Sequence, residues 1–308
     1  MHIKDRGDPG ASALAAPRRQ VLACGPMKTA GRILLDSLGF AGRHWKSLLM
    51  IAGLLLIPAA LVAAVAPSFA AWVGAPASLR EGALAKVGAG VVEVVRFVVL
   101  ILTGNALTLF IARDRVGQPL DWRGAWRLGL GRARPAITGT LASILAQIGY
   151  LVLFGLATAG AHWLGDRGGG AGVVGRVASP VLGFAGILFI ATRIVVVGPV
   201  TAIERSGGFD GYERNRELLK GRFTVALGVL LPIELCHQIV LKLFVARPAG
   251  HAAATIRDVV VTVIYELIGA IASTLLYLWL RGPAAPLGAE EIGGVPAAAV
   301  ASTEPGPT

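Results

Sequence analysis

The sequence predicts an all-α fold: a polytopic membrane bundle of six transmembrane helices with amphipathic helices along its cytoplasmic face. Three observations carry this. Of 308 residues, 55% are hydrophobic and only 15% charged, where soluble domains carry roughly 25% charged residues. The apolar residues gather into six runs, near 47–67, 88–112, 136–160, 176–200, 223–245 and 256–280. Each exceeds the ~20 residues a spanning helix needs. None alternates as a barrel strand would, and a helix satisfies its own backbone in lipid. The basic residues, finally, concentrate in alternate connections.

That alternation sets an orientation. Eight Lys and Arg lie up to Lys46, six in 113–134, five in 201–222, and Arg281 follows the last run. These are twenty of the 29 basic residues; the intervening connections hold Arg80, Lys86, Arg167, Arg176, Arg247 and Arg257. Basic connections stay in the cytoplasm, so both termini are expected there. The net charge of +11 then reflects orientation and contact with anionic headgroups of the lipid bilayer; nucleic acid is not expected as a partner. The richness in Ala, Gly and Arg resembles a GC-rich bacterial coding sequence, which suggests a bacterial cytoplasmic (inner) membrane. Cys24 and Cys236 stand far apart without CxxC spacing, so neither a disulfide framework nor a metal or redox site is expected.

Residues 1–27 are polar, basic and rich in small side chains. Val21-Leu22-Ala23-Cys24 loosely resembles a lipoprotein cleavage box, and Arg18-Arg19 a twin-arginine signal. Neither has the ~7–15 apolar residues a signal peptide requires. A disordered tail is expected, with Met27 as an alternative start. Residues 28–45 put Ile33, Leu34, Leu38 and Trp45 on roughly one helical face, which predicts an interfacial helix before the first span. Trp45, Trp72, Trp163 and Trp279 fall near span ends, where aromatic belts form. Residues 283–308 hold five prolines, three glutamates and no Lys or Arg, too little apolar surface to order a segment. The expected organisation is a tail over 1–27, a membrane domain over 28–282 and a tail over 283–308. Removing 1–26 and 283–308 is expected to leave folding intact.

The most informative stretch is 192–223. An apolar run carrying Arg193 breaks at Gly198-Pro199 and passes Glu204-Arg205 and Gly207-Gly208. It then forms a basic amphipathic helix over 209–220 and turns apolar again after Gly221-Arg222. This reads as a membrane helix that surfaces, lies along the headgroups and dives back. Residues 112–132 align with 202–222 at a shift of 90, with six identities that include Gly131-Arg132 on Gly221-Arg222. Gly42-Arg43 precedes the first span in the same way. The pattern predicts a three-fold repeat of interfacial helix plus membrane hairpin. Apolar burial and roughly 1 kcal/mol per basic residue near an anionic surface would hold such helices flat. The lipid-facing candidates are Trp122, Arg123, Trp126, Arg127, Arg214, Arg216, Lys220 and Arg222. The small pairs Gly139/Ser143 and Gly269/Ser273 are expected at close helix contacts.

Arg193, Pro199 and Glu204, followed by Tyr212-Glu213-Arg214-Asn215-Arg216-Glu217-Leu218-Leu219-Lys220-Gly221-Arg222-Phe223, resemble the pattern R…P…E…A-L-x-R-S-x-x-L-x-x-G-x-x of a bacterial membrane family. That family comprises six-helix integral membrane proteins and includes the membrane domain attached to some glycerophosphodiester phosphodiesterases. The closing Tyr277-Leu278-Trp279-Leu280-Arg281 is similar to the family's end. Asn215 stands where the family has Ser, and Gly211-Tyr212 where it has Ala-Leu. The resemblance implies a membrane module over about 30–282, without the soluble phosphodiesterase barrel and without its activity.

Ionisable groups at membrane depth cost ~2.5–3.5 kcal/mol each on insertion scales, so each is a functional candidate. The set is Glu93 and Arg96, spaced i, i+3; Arg193; Glu234 and His237; and Glu266. One reading pairs them to lock the bundle, with Arg193 against Glu234 or Glu266, or against Glu204 as a fallback. The other has them line a polar cavity or ion path. Glu234-Leu-Cys-His237 has the Glu-x-x-His spacing of di-iron bundles, but those need two such motifs and further Glu residues, so no metal is expected. There is no GxSxG, no HExxH and no phosphate loop. The functional expectation is a non-catalytic membrane protein, structural, accessory or lipid-contacting and without cofactors. The alternative is a transporter or channel built on the buried Glu, Arg and His.

Overall fold

The computed structural model describes residues 25–72, 83–166, 169–245 and 251–282, with Leu287 and Ile292; the side chains of 54–93, 96, 241–242, 244–245, 251–259 and 262 lie outside that description. The described residues are all-helical, without a strand. The helices are α1 (Pro26–Trp72), α2 (Ala83–Arg115), α3 (Trp122–Gly131), α4 (Ala133–Asp166), α5 (Gly169–Ile194), α6 (Val197–Ile203), α7 (Gly208–Leu219), α8 (Phe223–Val245) and α9 (His251–Arg281).

Five stretches are long and apolar enough to cross a membrane: Phe97–Arg115, Ala133–Asp166, Gly169–Ile203, Phe223–Val240 and Val263–Arg281. They correspond to the second to sixth expected runs. The first, 47–67, falls inside α1, where the side chains beyond residue 53 lie outside the described residues. The outer faces are apolar as well. Leu145, Leu153 and Leu156 on α4, and Val173, Val177 and Val181 on α5, are each more than half exposed. Soluble monomers rarely expose a contiguous apolar surface of that extent. Helix length and an apolar exterior together define a helical membrane protein.

The expected interfacial helix and first span are one unbroken helix. Nothing between Lys28 and Ile57 breaks it, and Pro26 stands at its first position, where its missing N–H is not needed. Its inward stripe is Ala30, Ile33, Ser37, Phe40, Leu48 and Ile51, all buried, at the three- and four-residue steps of a single face. That differs from the expected face: Leu38 and Trp45 are exposed. Phe40 stacks on His44 at 4.5 Å, and His44 Nε2 lies 3.6 Å from the Asp114 carboxylate at the end of α2.

Around α1 pack α2, α8 and α9. Thr274 on α9 donates to the Thr108 hydroxyl on α2 at 3.2 Å. The α4–α5 hairpin forms the largest helix–helix contact of the described chain. Of the expected small-residue contacts, Gly139 is real: a Cβ there would collide with the Thr201 methyl of α6. Ser143 beside it is buried and donates back to the Gly139 carbonyl. Gly269 has open space around it and makes no close contact of this kind.

Two residues beyond Gly282 are described, and both pack. Ile292 is fully buried in the core, and Leu287 lies against it. Enough apolar surface therefore survives in 283–308 to contribute to the core at these positions, and removing that segment would strip the core of Ile292.

Candidate functional site

The polar chemistry of the chain gathers where α3, α6 and α7 meet the ends of the long helices. It begins with a break. Pro199 has no N–H, and its ring clashes with the carbonyl four residues back, which disfavours a continuous helix through Val195. The chain parts at Val195–Val196, upstream of the expected Gly198-Pro199, and Pro199 sits in the first turn of α6, where it is tolerated. The break frees backbone groups in a buried place. Asn215 on α7 takes up two of them: its Oδ1 accepts from the Val196 N–H at 3.2 Å, and its Nδ2 donates to the Arg193 carbonyl. Asn215 is wholly buried. The sequence had marked it only as a departure from a Ser.

Glu204 caps α6 and ties three helices together. Its Oε1 accepts from the Tyr277 hydroxyl of α9 at 2.8 Å, and its Oε2 accepts from Arg214 Nε of α7 at 3.0 Å. Tyr277 in turn accepts from Arg281 at 3.1 Å. Arg214 reaches Glu217 at 3.1 Å, and its guanidinium is held above its ordinary pKa, chiefly by the Glu204 hydrogen bond. Arg132 is buried and donates to the Ala202 carbonyl at the end of α6. Burial, with help from nearby Arg205, pushes its pKa down to about 10, which still leaves it charged at neutral pH. Arg222 donates to the Leu280 carbonyl near the end of α9 and lies 5.4 Å from the Trp279 ring. Each arginine of the two Gly-Arg pairs thus satisfies the last carbonyls of another helix, where the dipole favours a cation.

Arg193 departs from expectation. It occupies the last turn of α5, within the apolar stretch Gly169–Ile203. Its guanidinium carbon lies 4.9 Å from the Tyr150 ring and 4.7 Å from Phe189. Among the described residues it forms no ion pair, and the three carboxylates proposed for it are engaged elsewhere or apart from it. Glu204 serves Tyr277 and Arg214, and Glu234 accepts from Tyr265 at 2.8 Å and from Gln238 at 2.9 Å. Glu266 also has a partner, and no ion pair joins it to Arg193. Tyr150, Phe154 and Phe223 gather around Phe189 at ring separations of 5.2–6.2 Å, forming an aromatic bed beneath the arginine. A cavity of about 490 Å³ opens above it, lined by Arg193, Tyr212, Arg216, Lys220 and Phe223, with Glu213 and Glu217 among its walls.

The other expected site residues divide. His237 stacks on Tyr265 at 3.9 Å, its Nδ1 buried without a partner; with Glu234 and Gln238 they form one cluster between α8 and α9. Glu93 and Arg96 fall in α2, with side chains outside the described residues. Arg123, Arg127, Arg216 and Lys220 are exposed, and Trp122 is half-buried. Trp126 is a correction. It does not face lipid but is buried in the core, and its indole N–H donates to the Ile51 carbonyl of α1 at 3.1 Å. Asp121 caps α3 through the Gly124 N–H at 2.8 Å, which fixes this face inward. Among the described residues no group of His, Cys, Asp and Glu is arranged to hold a metal.

Fold and site together define a helical membrane protein with a polar junction at one end of its bundle. Comparison with known proteins yields no match: no family model, no curated protein and no solved structure is similar to the chain.

Proposed function

We propose that this chain is a non-catalytic, six-span protein of a bacterial cytoplasmic membrane, with both termini in the cytoplasm and a lipid-contacting, scaffolding role. The observation that carries the reading is how the polar groups are used. Asn215, Arg132, Arg222 and the Arg281–Tyr277–Glu204–Arg214 chain hold helix ends together, while exposed Arg123, Arg127, Arg216 and Lys220 remain for the membrane surface. The residues behind the resemblance to the phosphodiesterase-associated membrane family, Arg193, Pro199, Glu204, Arg214, Tyr277 and Arg281, belong to this junction, and on that resemblance the module is an accessory one. The shared use of Arg132 and Arg222 at helix ends favours the repeat, with α1 opening a third unit. The aligned glycines differ, because Gly221 has a positive φ and Gly131 does not.

The topology is tested by cysteine labelling in a background lacking Cys24 and Cys236. Gly170→Cys should react with a membrane-impermeant maleimide on intact cells, and Arg127→Cys only after permeabilisation. The reverse pattern would invert the orientation.

The second reading, a transporter or channel, rests on the Glu234–Tyr265–His237 cluster with its unpartnered Nδ1. Proton flux in proteoliposomes that disappears in Glu234→Gln would favour it over the scaffold.

A further inference from the structure

We propose that the cavity above Arg193 is a cradle for one phosphate group carried by an anionic phospholipid headgroup. This deepens the lipid-contacting reading and rests on it. Arg193, Arg216 and Lys220 bring three cations to a cavity of about 490 Å³, within the size range of small-ligand sites. Arg193 is the anchor. Its guanidinium lies against Tyr150 and Phe189, which fixes its plane by cation–π contact and leaves its N–H groups without an acceptor among the described residues. A planar, pre-positioned guanidinium is the side chain suited to a bidentate phosphate contact. Tyr212, whose hydroxyl accepts from the buried Gln147 amide at 2.9 Å, lines the same space.

Charge sets the valence. Of the two carboxylates in the wall, Glu217 is already engaged by Arg214 at 3.1 Å. Glu213 is left to oppose three cations, a balance that suits one phosphate and disfavours a polyphosphate. Position sets the source. The cavity opens where α5 ends and α8 begins, and the outer faces of both helices are apolar, with Ile187, Leu235 and Ile239 exposed. A phosphate here would sit at headgroup depth with acyl chains running down those faces. Basic pockets between spanning helices bind lipid headgroups by this arrangement.

The test uses the full chain in a neutral detergent and follows its thermal midpoint against dioleoyl phosphatidylglycerol. Zwitterionic dioleoyl phosphatidylcholine is the neutral lipid, and inorganic phosphate the water-soluble arm. Phosphatidylglycerol should raise the midpoint saturably. The half-effect concentration should rise at least tenfold in Arg193→Gln and in Lys220→Gln, and should not change in Arg43→Gln. Lys220 and Arg43 are both exposed, so their variants separate binding from folding. Inorganic phosphate acting alone, with the same dependence on Arg193 and Lys220, would support the cradle and assign it to free phosphate. A lipid response equal in all variants would overturn the cradle. If labelling at Gly170 and Arg127 still reports the expected topology, only the cradle falls; a reversed topology would remove the reading beneath it.

Discussion

Asn215→Leu should strongly destabilise the protein, with a thermal midpoint in detergent well below that of the wild type. The leucine has the same branching and the same number of heavy atoms, with greater bulk, but neither donor nor acceptor. It would leave the Val196 N–H and the Arg193 carbonyl without the partners they have now, in a place where Asn215 itself is fully buried. Each buried backbone group left unsatisfied costs about 1–3 kcal/mol. The loss is concentrated at the break that Pro199 imposes, so α6 and the cavity should loosen together. Asn215→Asp separates the two bonds. It keeps the acceptor for Val196 but, ionised, cannot donate to Arg193. A buried carboxyl has its folded pKa raised above the unfolded value, so its stability is present at low pH and lost as the pH rises through the folded pKa. This variant should therefore be rescued in part by acidification, while Asn215→Leu should not. An Asn215→Leu protein that melts with the wild type would show that the break is satisfied by other means.

Gly175→Ala should be the most damaging added methyl among the described glycines. A Cβ at Gly175 would meet the Gly165 amide nitrogen, the Ala161 carbonyl oxygen and, at 2.8 Å, the Gly165 Cα. All three are backbone atoms of the facing helix, so no side chain can rotate away. α4 and α5 must separate, and theirs is the largest contact between described helices. Overpacking of this kind costs about 1–3 kcal/mol or more, and Gly175→Leu should exceed it. Gly160→Ala is the control. It lies in the same hairpin with nothing within 4 Å of its Cβ, so it should gain about 0.5–1 kcal/mol from lost backbone freedom in the unfolded chain. Equal midpoints for the two alanine variants would mean that the hairpin is looser than its glycines indicate.

Helices and their order were legible because they follow from local composition. Five of the six apolar runs, the amphipathic segment 209–220 and the close contact at Gly139 appear near where the sequence puts them. The inward faces were less legible. In α1 the periodicity of Ile33, Leu34, Leu38 and Trp45 selects a face, yet Phe40 and Ile51 are inward and Trp45 is outward. In α3 an apolar stripe suited to headgroups is the stripe that docks Trp126 on α1. The cause is general: lipid and protein interior are equally apolar, so hydrophobicity alone does not tell the side that meets a neighbour from the side that meets lipid.

The candidate site shows the same division. From the sequence, Arg193 lies inside an apolar run and calls for a carboxylate. The helix ends at Ile194, and aromatic rings from α4 and α5 take the carboxylate's place. Phe189 stands four residues before Arg193 on the same helix, but no spacing encodes the Tyr150 contact, since Tyr150 is 43 residues from Arg193 in sequence. Asn215, Ile292 and the Glu204–Tyr277 bond were out of reach for the same reason. The sequence by itself determined an all-helical, membrane-type chain and the order of its helices, because those depend on residues near one another. The tertiary structure alone decided which helix faces meet and which polar groups satisfy one another, because each such pair forms only when packing brings distant segments together.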